Sequence, residues 1–510
     1  MNYHIVSLTP VSITVERDDL TPYYSEKSHD VFLNGEKALE AKTNVFTLFS
    51  LKPDTSYVLS IDGKETEFKT GKVTSILHAS AFKRENPEMD DTLLLQSAIS
   101  FTPKGGRLVI DGEYSVTSLF LRSDRILYLP KGSVLKGNPK AKDYPLLPPF
   151  RLVEGRKVPC QSWEGDYYPS KPSLLNVIEE ENVTILGEGR IDGLANESNE
   201  FWNDVKNLPY GRPSLFYSYK AKNVSLIGLS FRNTPAWTIH PFFSENLHFL
   251  SLSIFNPKDA PNTDGRDLEC CTKRQVLGVR FSVGDDCIAL KSGKIGLAKE
   301  RKRALKDCVI RNCLRENGHG AIVLGSEAGY GIKDIQVERC LFKNTDRGLR
   351  IKTRRGRGKD SIRDGILFKE ITRDGVLTPL VRNRFYFCDP DGKSEYVQNK
   401  NPLPVDKRTP YLGSFVFQDI VARNCEVCFG YFYGLPEKRI KSIVIKDSLF
   451  ERKKEAREGR PARRLGVEKR KKKGFLFTNV EEVVLDHVKM AGREGERVEK
   501  ENVLSLKDNG

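Results

Sequence analysis

One short phrase recurs along most of this chain, and it limits the fold more than any other feature. It reads Asn182-Val183-Thr184-Ile185, then Asn223-Val224-Ser225-Leu226, then Asn246-Leu247-His248-Phe249. Looser copies follow at Cys308-Val309-Ile310-Arg311, Asp334-Ile335-Gln336-Val337 and Ile443-Val444-Ile445-Lys446. Most copies start polar, run into branched apolar residues, and break at Gly, Asn or a charge. Self-similarity at a period of about 20–50 residues marks a solenoid or a propeller. No 3.6-residue apolar period accompanies the strands, which argues against crossover helices between them. The reading is an all-β chain wound as a parallel β-helix, each coil stacked on the last.

Four polar motifs fall in order on this repeat: Asn262-Thr263-Asp264, Gly284-Asp285-Asp286, Gly318-His319-Gly320 and Arg350-Ile351-Lys352. From Asp264 to Asp285 is 21 residues, from Asp286 to His319 is 33, and from His319 to Arg350 is 31. Those intervals match the strand repeat, and stacked strands lie about 4.8 Å apart. Asp264, Asp285 with Asp286, His319, and Arg350 with Lys352 should therefore form a column on successive coils. Asp285 and Asp286 would point to opposite faces of an ideal strand. Both reach one cleft only if the chain bends, and Gly284 offers the place. Three carboxylates, an imidazole and two fixed cations equip a site for cleaving a glycosidic bond in an acidic sugar polymer. Each motif alone also fits an ordinary turn or strand face; their order and spacing carry the reading.

With these motifs, together with Trp237-Thr238-Ile239-His240, Gly325-Ser326-Glu327 and Gly348-Leu349, the chain resembles the glycoside hydrolase family of the polygalacturonases over roughly residues 75–450. The resemblance implies a right-handed parallel β-helix and inverting hydrolysis of α-1,4-galacturonosidic bonds without a metal or other cofactor. It implies Asp285 as general acid and Asp264 and Asp286 as water-activating bases. Inverting glycosidases hold their two carboxyls about 6.5–9.5 Å apart to admit the water. Crowded carboxylates cannot all ionise, so one pKa should rise. His319 would hydrogen-bond the acid or the sugar. Arg350 and Lys352 would hold a galacturonate carboxylate, Arg by its two-pronged fork. Asn262 joins them in binding substrate, and Tyr386 is the candidate sugar-contacting tyrosine. One departure stands out: Arg266-Asp267-Leu268-Glu269-Cys270-Cys271 follows the first motif where relatives carry an apolar residue and then Asp-Pro.

Charge and length are consistent with this reading. The 510 residues carry a net charge of +15, from 83 Lys and Arg against 68 Asp and Glu, which suits a polyanionic substrate. Nucleic acid is the competing polyanion. However, the densest basic run, Arg452 to Lys473 with Arg463-Arg464, holds no aromatic to stack on bases. It reads as a solvated loop or insertion. No apolar run approaches the ~20 residues of a membrane span, and the first residues lack a signal-peptide pattern. The expected location is the cytoplasm, or secreted or periplasmic if a signal peptide has been removed. Cys287, Cys308 and Cys340 read as buried thiols of an interior stack. The lone Cys425-Glu426-Val427-Cys428 pair argues against zinc, and a disulfide at Cys270-Cys271 stays open. Oligomeric state is not readable.

Residues 1–72 differ from the rest. Short alternating segments at His4–Leu8, Val11–Val15, Val45–Leu48 and Tyr57–Ile61 pattern as a small antiparallel sandwich. Leu51-Lys52-Pro53-Asp54-Thr55-Ser56-Tyr57 resembles a phrase of fibronectin type III modules. This sandwich is expected to cover the end of the solenoid or to wall off one end of the cleft. Residues 73–510 are the β-helix, with an amphipathic helix over 91–100 capping its first coil. The Pro-rich stretch 138–172 reads as a long loop of the kind that carries function. Sandwich, insertion and the segment 325–330 resemble the bacterial exo-acting branch. Endo action, a lyase and a non-catalytic polysaccharide-binding β-helix are the alternatives.

Overall fold

The polar residue that opens each recurring phrase sits at a corner of the coil. In a computed structural model, which describes residues 2–82, 90–203, 211–294, 302–387, 391–462 and 465–510, Asn182, Asn223 and Asn246 all adopt left-handed backbone, with φ of 55°, 53° and 54°. Asn tolerates that conformation better than most side chains. Their amides also form a ladder: Asn246 donates to Asn223, and Asn223 to Asn182, each at 2.8 Å. The corner thus turns the chain and ties successive coils together.

The corners feed a parallel β-helix, seen as one 33-stranded sheet system. One stack carries the recurring phrase, from Glu181–Gly187 through Lys222–Ile227, Glu245–Leu250 and Thr272–Leu277 to Leu305–Arg311 and Ile332–Glu338. Those strands pair in parallel, coil upon coil. A second stack holds short strands such as Ser253–Phe255 and Arg280–Val283. The third runs through Asp267–Glu269, Ile288–Lys291 and Ile322–Leu324 to Arg347–Lys352 and Thr378–Asn383. It positions the site.

Residues one coil apart align inside. Ile185, Leu226, Phe249, Val276, Ile310 and Val337 follow one another in register and belong to one buried core. Burying each such side chain contributes about 1.5–3 kcal/mol. Cys287, Cys308 and Cys340 lie in the same core. The nine described cysteines are free thiols, including Cys270, Cys271, Cys425 and Cys428. Another interior ladder alternates Phe281, Arg315, Phe342 and Arg373, with the Arg315 guanidinium 5.7 and 5.0 Å from the two rings beside it. Such arginines look like solvent-facing residues in the sequence.

Helix α1 (Thr92–Phe101) puts Leu95, Ala98 and Ile99 into the solenoid core at its amino-terminal end. Before it, seven antiparallel strands form two sheets: β1 (Tyr3–Leu8), β2 (Ile13–Arg17), β3 (Tyr24–Leu33), β4 (Glu36–Thr43), β5 (Val45–Leu48), β6 (Ser56–Ile61) and β7 (Lys64–Lys69). The sheet orders are β1-β2-β5 and β4-β3-β6-β7. Their inner faces meet around Val15, Val31, Leu59 and Ile61. The sandwich lies along the flank of the solenoid, not over its end. Val11 and Val45 pack on Leu186, Ile227, Leu250 and Leu277 from four coils. Beside them, buried Glu16 accepts from Arg311 at 2.6 Å twice and from Asn312 at 2.7 Å.

One segment differs from its sequence reading. The stretch 138–172 is not simply a loop: it contains the hairpin Phe150–Val153 with Arg156–Pro159. Val158 and the neighbouring aromatic Tyr167 pack on Tyr217, Tyr219 and Phe242, on the outer face of the third stack. The basic run is a mostly exposed loop, as read, and it is tied to the solenoid at two points. Arg457 pairs with Glu426 at 2.8 Å, and Arg347 donates to the Arg460 carbonyl at 2.9 Å. Arg463 and Arg464 lie outside the described residues.

Candidate active site

The column forms on the third stack. Asp264 precedes the strand Asp267–Glu269, Asp285 and Asp286 precede Ile288–Lys291, and His319 precedes Ile322–Leu324, while Arg350 and Lys352 lie within Arg347–Lys352. Backbone bonds hold the turns in register: Gly265 N–H to the Asp286 carbonyl, and His319 N–H to the Asp285 carbonyl, both at 3.0 Å. The chain does bend at Gly284 and Asp285. Close approach explains the glycine there. A Cβ on Gly284 would meet the Ala260 carbonyl at 2.5 Å and the Pro257 carbonyl at 2.8 Å.

One oxygen from each of Asp264, Asp285 and Asp286 lies within 4.8 Å of the other two. That is tighter than the ~6.5–9.5 Å between carboxyl groups in a typical inverting enzyme. Lys352 Nζ donates to Asp286 Oδ2 at 2.5 Å, and Arg350 Nη1 lies 3.5 Å from Oδ1. Both cations therefore pair with Asp286 in the free site. His319 Nδ1 faces Asp346 Oδ2 at 3.2 Å, so its visible partner is Asp346 and not the expected acid. Tyr386 borders the same depression as His319, Arg350 and Lys352. Asn262 Oδ1 accepts from Arg212 at 2.7 Å and faces a cavity of ≈ 450 Å³ on the amino-terminal side, lined also by Trp163, Tyr168 and Lys171.

Residues 160–398, which span this column, match the profile of Glycosyl hydrolases family 28. Over these residues the chain resembles the family 28 glycosyl hydrolases. Among curated proteins, a "Probable polygalacturonase" of Vitis vinifera is 27% identical over 366 residues, covering 70% of each chain. An "Exo-poly-alpha-D-galacturonosidase" of Dickeya chrysanthemi is 25% identical over 359 residues, 61% of this chain and 57% of that one. The fold matches the family 28 exopolygalacturonase structure of Yersinia enterocolitica at a TM-score of 0.74, with 19% identity over 100% of this chain and 99% of that one. The enzyme is a glycoside hydrolase.

Within this column the three carboxyls occupy different electrostatic environments. Burial, then the Asp286 charge, pushes Asp285 up from its ordinary value. Burial pushes Asp286 the same way, but Lys352 and then Arg350 outweigh it and hold Asp286 below the usual carboxylate range. Asp264 rises most clearly, from burial first and then from Asp267, Asp285 and Asp286. The free site therefore holds a proton least readily at Asp286 and more readily at its two neighbours. The hydrogen bond to Asp346 raises His319, against burial and with help from Asp285 and Asp286.

Several residues of this cleft were not identifiable from the motifs. Asp346 stands one coil beyond His319, in Asn344-Thr345-Asp346 just ahead of the last motif. Lys291 Nζ lies 2.9 Å from Asp267 and 3.3 Å from Glu327, and 3.6 Å from the Trp237 ring. Trp163 from the insertion stacks on Trp237 with ring centres 4.4 Å apart. Asp267 belongs to the departing segment, and Trp237 and Glu327 to the flanking motifs, so position along the repeat could have nominated those three. Trp163 carried no periodic signal. In the same segment, Arg266 turns inward, with its guanidinium 3.0 Å from the Phe249 ring centre.

Proposed function

We propose that the enzyme is an exo-acting polygalacturonase, releasing galacturonate units by hydrolysis from the non-reducing end of polygalacturonate or oligogalacturonides, with inversion. The observation that carries the reading is the wall on the amino-terminal side of the carboxylates. The insertion lays Trp163 on Trp237 and lines one side of a cavity beside Asn262. A chain end fits such a cavity, whereas the middle of a polymer needs a groove open at both ends. The names of the Dickeya relative and the Yersinia structure agree with exo action. An "Endo-polygalacturonase" of Pectobacterium carotovorum, 28% identical over 217 residues, is also a relative. The wall, rather than a relative's name, is therefore what favours exo action.

In this mechanism Asp285, whose hold on a proton is strengthened by burial and by Asp286, donates its proton to the leaving glycosidic oxygen. Asp286, kept ionised by Lys352 and Arg350, accepts the proton of the attacking water. Oxygens of Asp264 and Asp286 that lie within 4.8 Å of each other can share a bridging water through two hydrogen bonds of about 2.8 Å. Arg350 and Lys352 also receive the uronate carboxylate across the scissile bond. His319, oriented by Asp346, and Tyr386 contact the sugar. The test is a time course on defined oligogalacturonides resolved by size. Monomer alone at early times supports exo action, while a spread of intermediate lengths refutes it. The anomer formed first, read by proton NMR, decides inversion against retention.

A further inference from the structure

The coil beyond the last motif places arginines where its neighbours place aliphatic or aromatic side chains. Arg363 stands in register between Ile332 and Leu412. Arg382 stands between Ile351 and Phe432, and Arg384 follows two residues later. All three are less than 2% exposed. The Arg382 guanidinium lies 2.9 Å from the centre of the Phe415 ring, and none of its three nitrogens has a hydrogen-bond partner among the described residues. Arg363 donates from Nη1 to Ser361 Oγ at 2.7 Å, leaving Nε and Nη2 unpaired. Arg384 donates to the Lys438 and Pro410 carbonyls, leaving Nε unpaired.

No carboxylate among the described residues makes an ion pair with these three cations. Glu437, the acid that acts on Arg384, is already forked by Arg355 at 2.7 and 2.8 Å. Asp364, the acid that acts on Arg382, accepts the Ser414 amide at 2.7 Å instead. Burial disfavours the charged form of Arg382, and repulsion from Arg384 and Arg363 adds to it. A guanidinium nonetheless keeps its proton in a protein. An unpaired buried charge is far costlier than a paired one. Leucine or phenylalanine would have filled these positions without that penalty, as they do one coil away.

We propose that this coil encloses a small inorganic anion of the chloride type, bound inside the solenoid by Arg382 and Arg363 within the positive field of Arg384. The aliphatic and aromatic surroundings, Ile332, Ile351, Leu412, Phe415 and Phe432, offer no donor of their own, so the guanidiniums supply the binding. The anion lies under the active site. Val381 and Asn383, on either side of Arg382, border the depression that holds Arg350 and Lys352.

The test is to unfold and refold the protein in chloride and in gluconate at equal ionic strength, and to soak crystals in bromide. The site predicts a melting temperature that rises saturably as chloride replaces gluconate, and an anomalous bromide peak between Arg382 and Arg363. In Arg382→Leu the chloride dependence disappears, and the variant melts in gluconate at or above the wild-type temperature, because an unpaired charge has been removed. Chloride dependence that persists in Arg382→Leu overturns the site, and so does its absence in the wild type. If Arg382→Leu does not fold, the bromide map of the wild type decides: a peak there supports the site, and an empty interior refutes it.

Discussion

Replacing Lys352 with Met removes the shortest contact Asp286 makes to a cation while keeping an unbranched chain of similar length. The bond is 2.5 Å long, and the two side chains are only 13% and 2% exposed, so salt screens it weakly. A hydrogen bond to a charged partner contributes about 1.5–3 kcal/mol. At about 1.36 kcal/mol per tenfold, its loss raises the proton affinity of Asp286 by about 10- to 150-fold. Arg350 remains at 3.5 Å, which favours the lower part of that range. A base must be ionised, so activity is lost as pH falls through the pKa of Asp286. Without Lys352 that acidic limb moves to higher pH. The assay is kcat against pH at saturating oligogalacturonate, which separates this effect from the higher KM expected if Lys352 also binds the uronate. An acidic limb that stays in place would refute Asp286 as the base that Lys352 keeps charged.

Three further outcomes follow from the same contacts. Trp163→Ala removes a stacked pair worth about 0.5–1.5 kcal/mol beyond its buried area and opens the closed end. Its early products should broaden from monomer to mixed lengths, and an unchanged product pattern removes Trp163 from the wall. Asp346→Asn takes away the main cause of the raised His319 pKa, so the His319 titration followed by NMR should move to lower pH; an unshifted midpoint contradicts that cause. Glu16→Gln leaves Arg311 and Arg339 facing a neutral side chain and should cost about 3–5 kcal/mol. Burial pushes Glu16 up, but Arg311 and Arg339 bring it below its unfolded value. Its contribution is thus complete above the unfolded pKa and is lost as pH falls through the folded one. Denaturant melts at neutral pH and in acid should show the penalty shrinking in acid, and an equal penalty at both would refute the pairing.

The repeat was legible because each coil needs a residue that accepts left-handed backbone at its corner, and Asn at 182, 223 and 246 marks it openly. The column was legible because strand spacing converts intervals in sequence into neighbours in space. Strands β3, β4 and β7 carry many charges on exposed faces, so apolar alternation does not reveal them. The hairpin at 150–159 lies in a Pro-rich stretch and packs by aromatic contacts that no period announces. Arg315, Arg363, Arg373 and Arg382 each precede a polar or charged residue, Glu316, Asp364, Asp374 and Asn383, as surface arginines would, yet they are buried. Asp346 became identifiable only when the coil stack brought it to His319.

In the proposed reaction Asp285 is the acid of a hydrolysis. Its most direct test compares the wild type with Asp285→Asn on oligogalacturonate in chelator, recording new reducing ends and the absorbance of unsaturated sugar together. Hydrolysis gives new reducing ends without unsaturated product in the wild type, unaffected by chelator. In a folded Asp285→Asn variant the rate should fall by about 10²–10⁴-fold. Unsaturated product, or a variant that turns over at the wild-type rate, would contradict it.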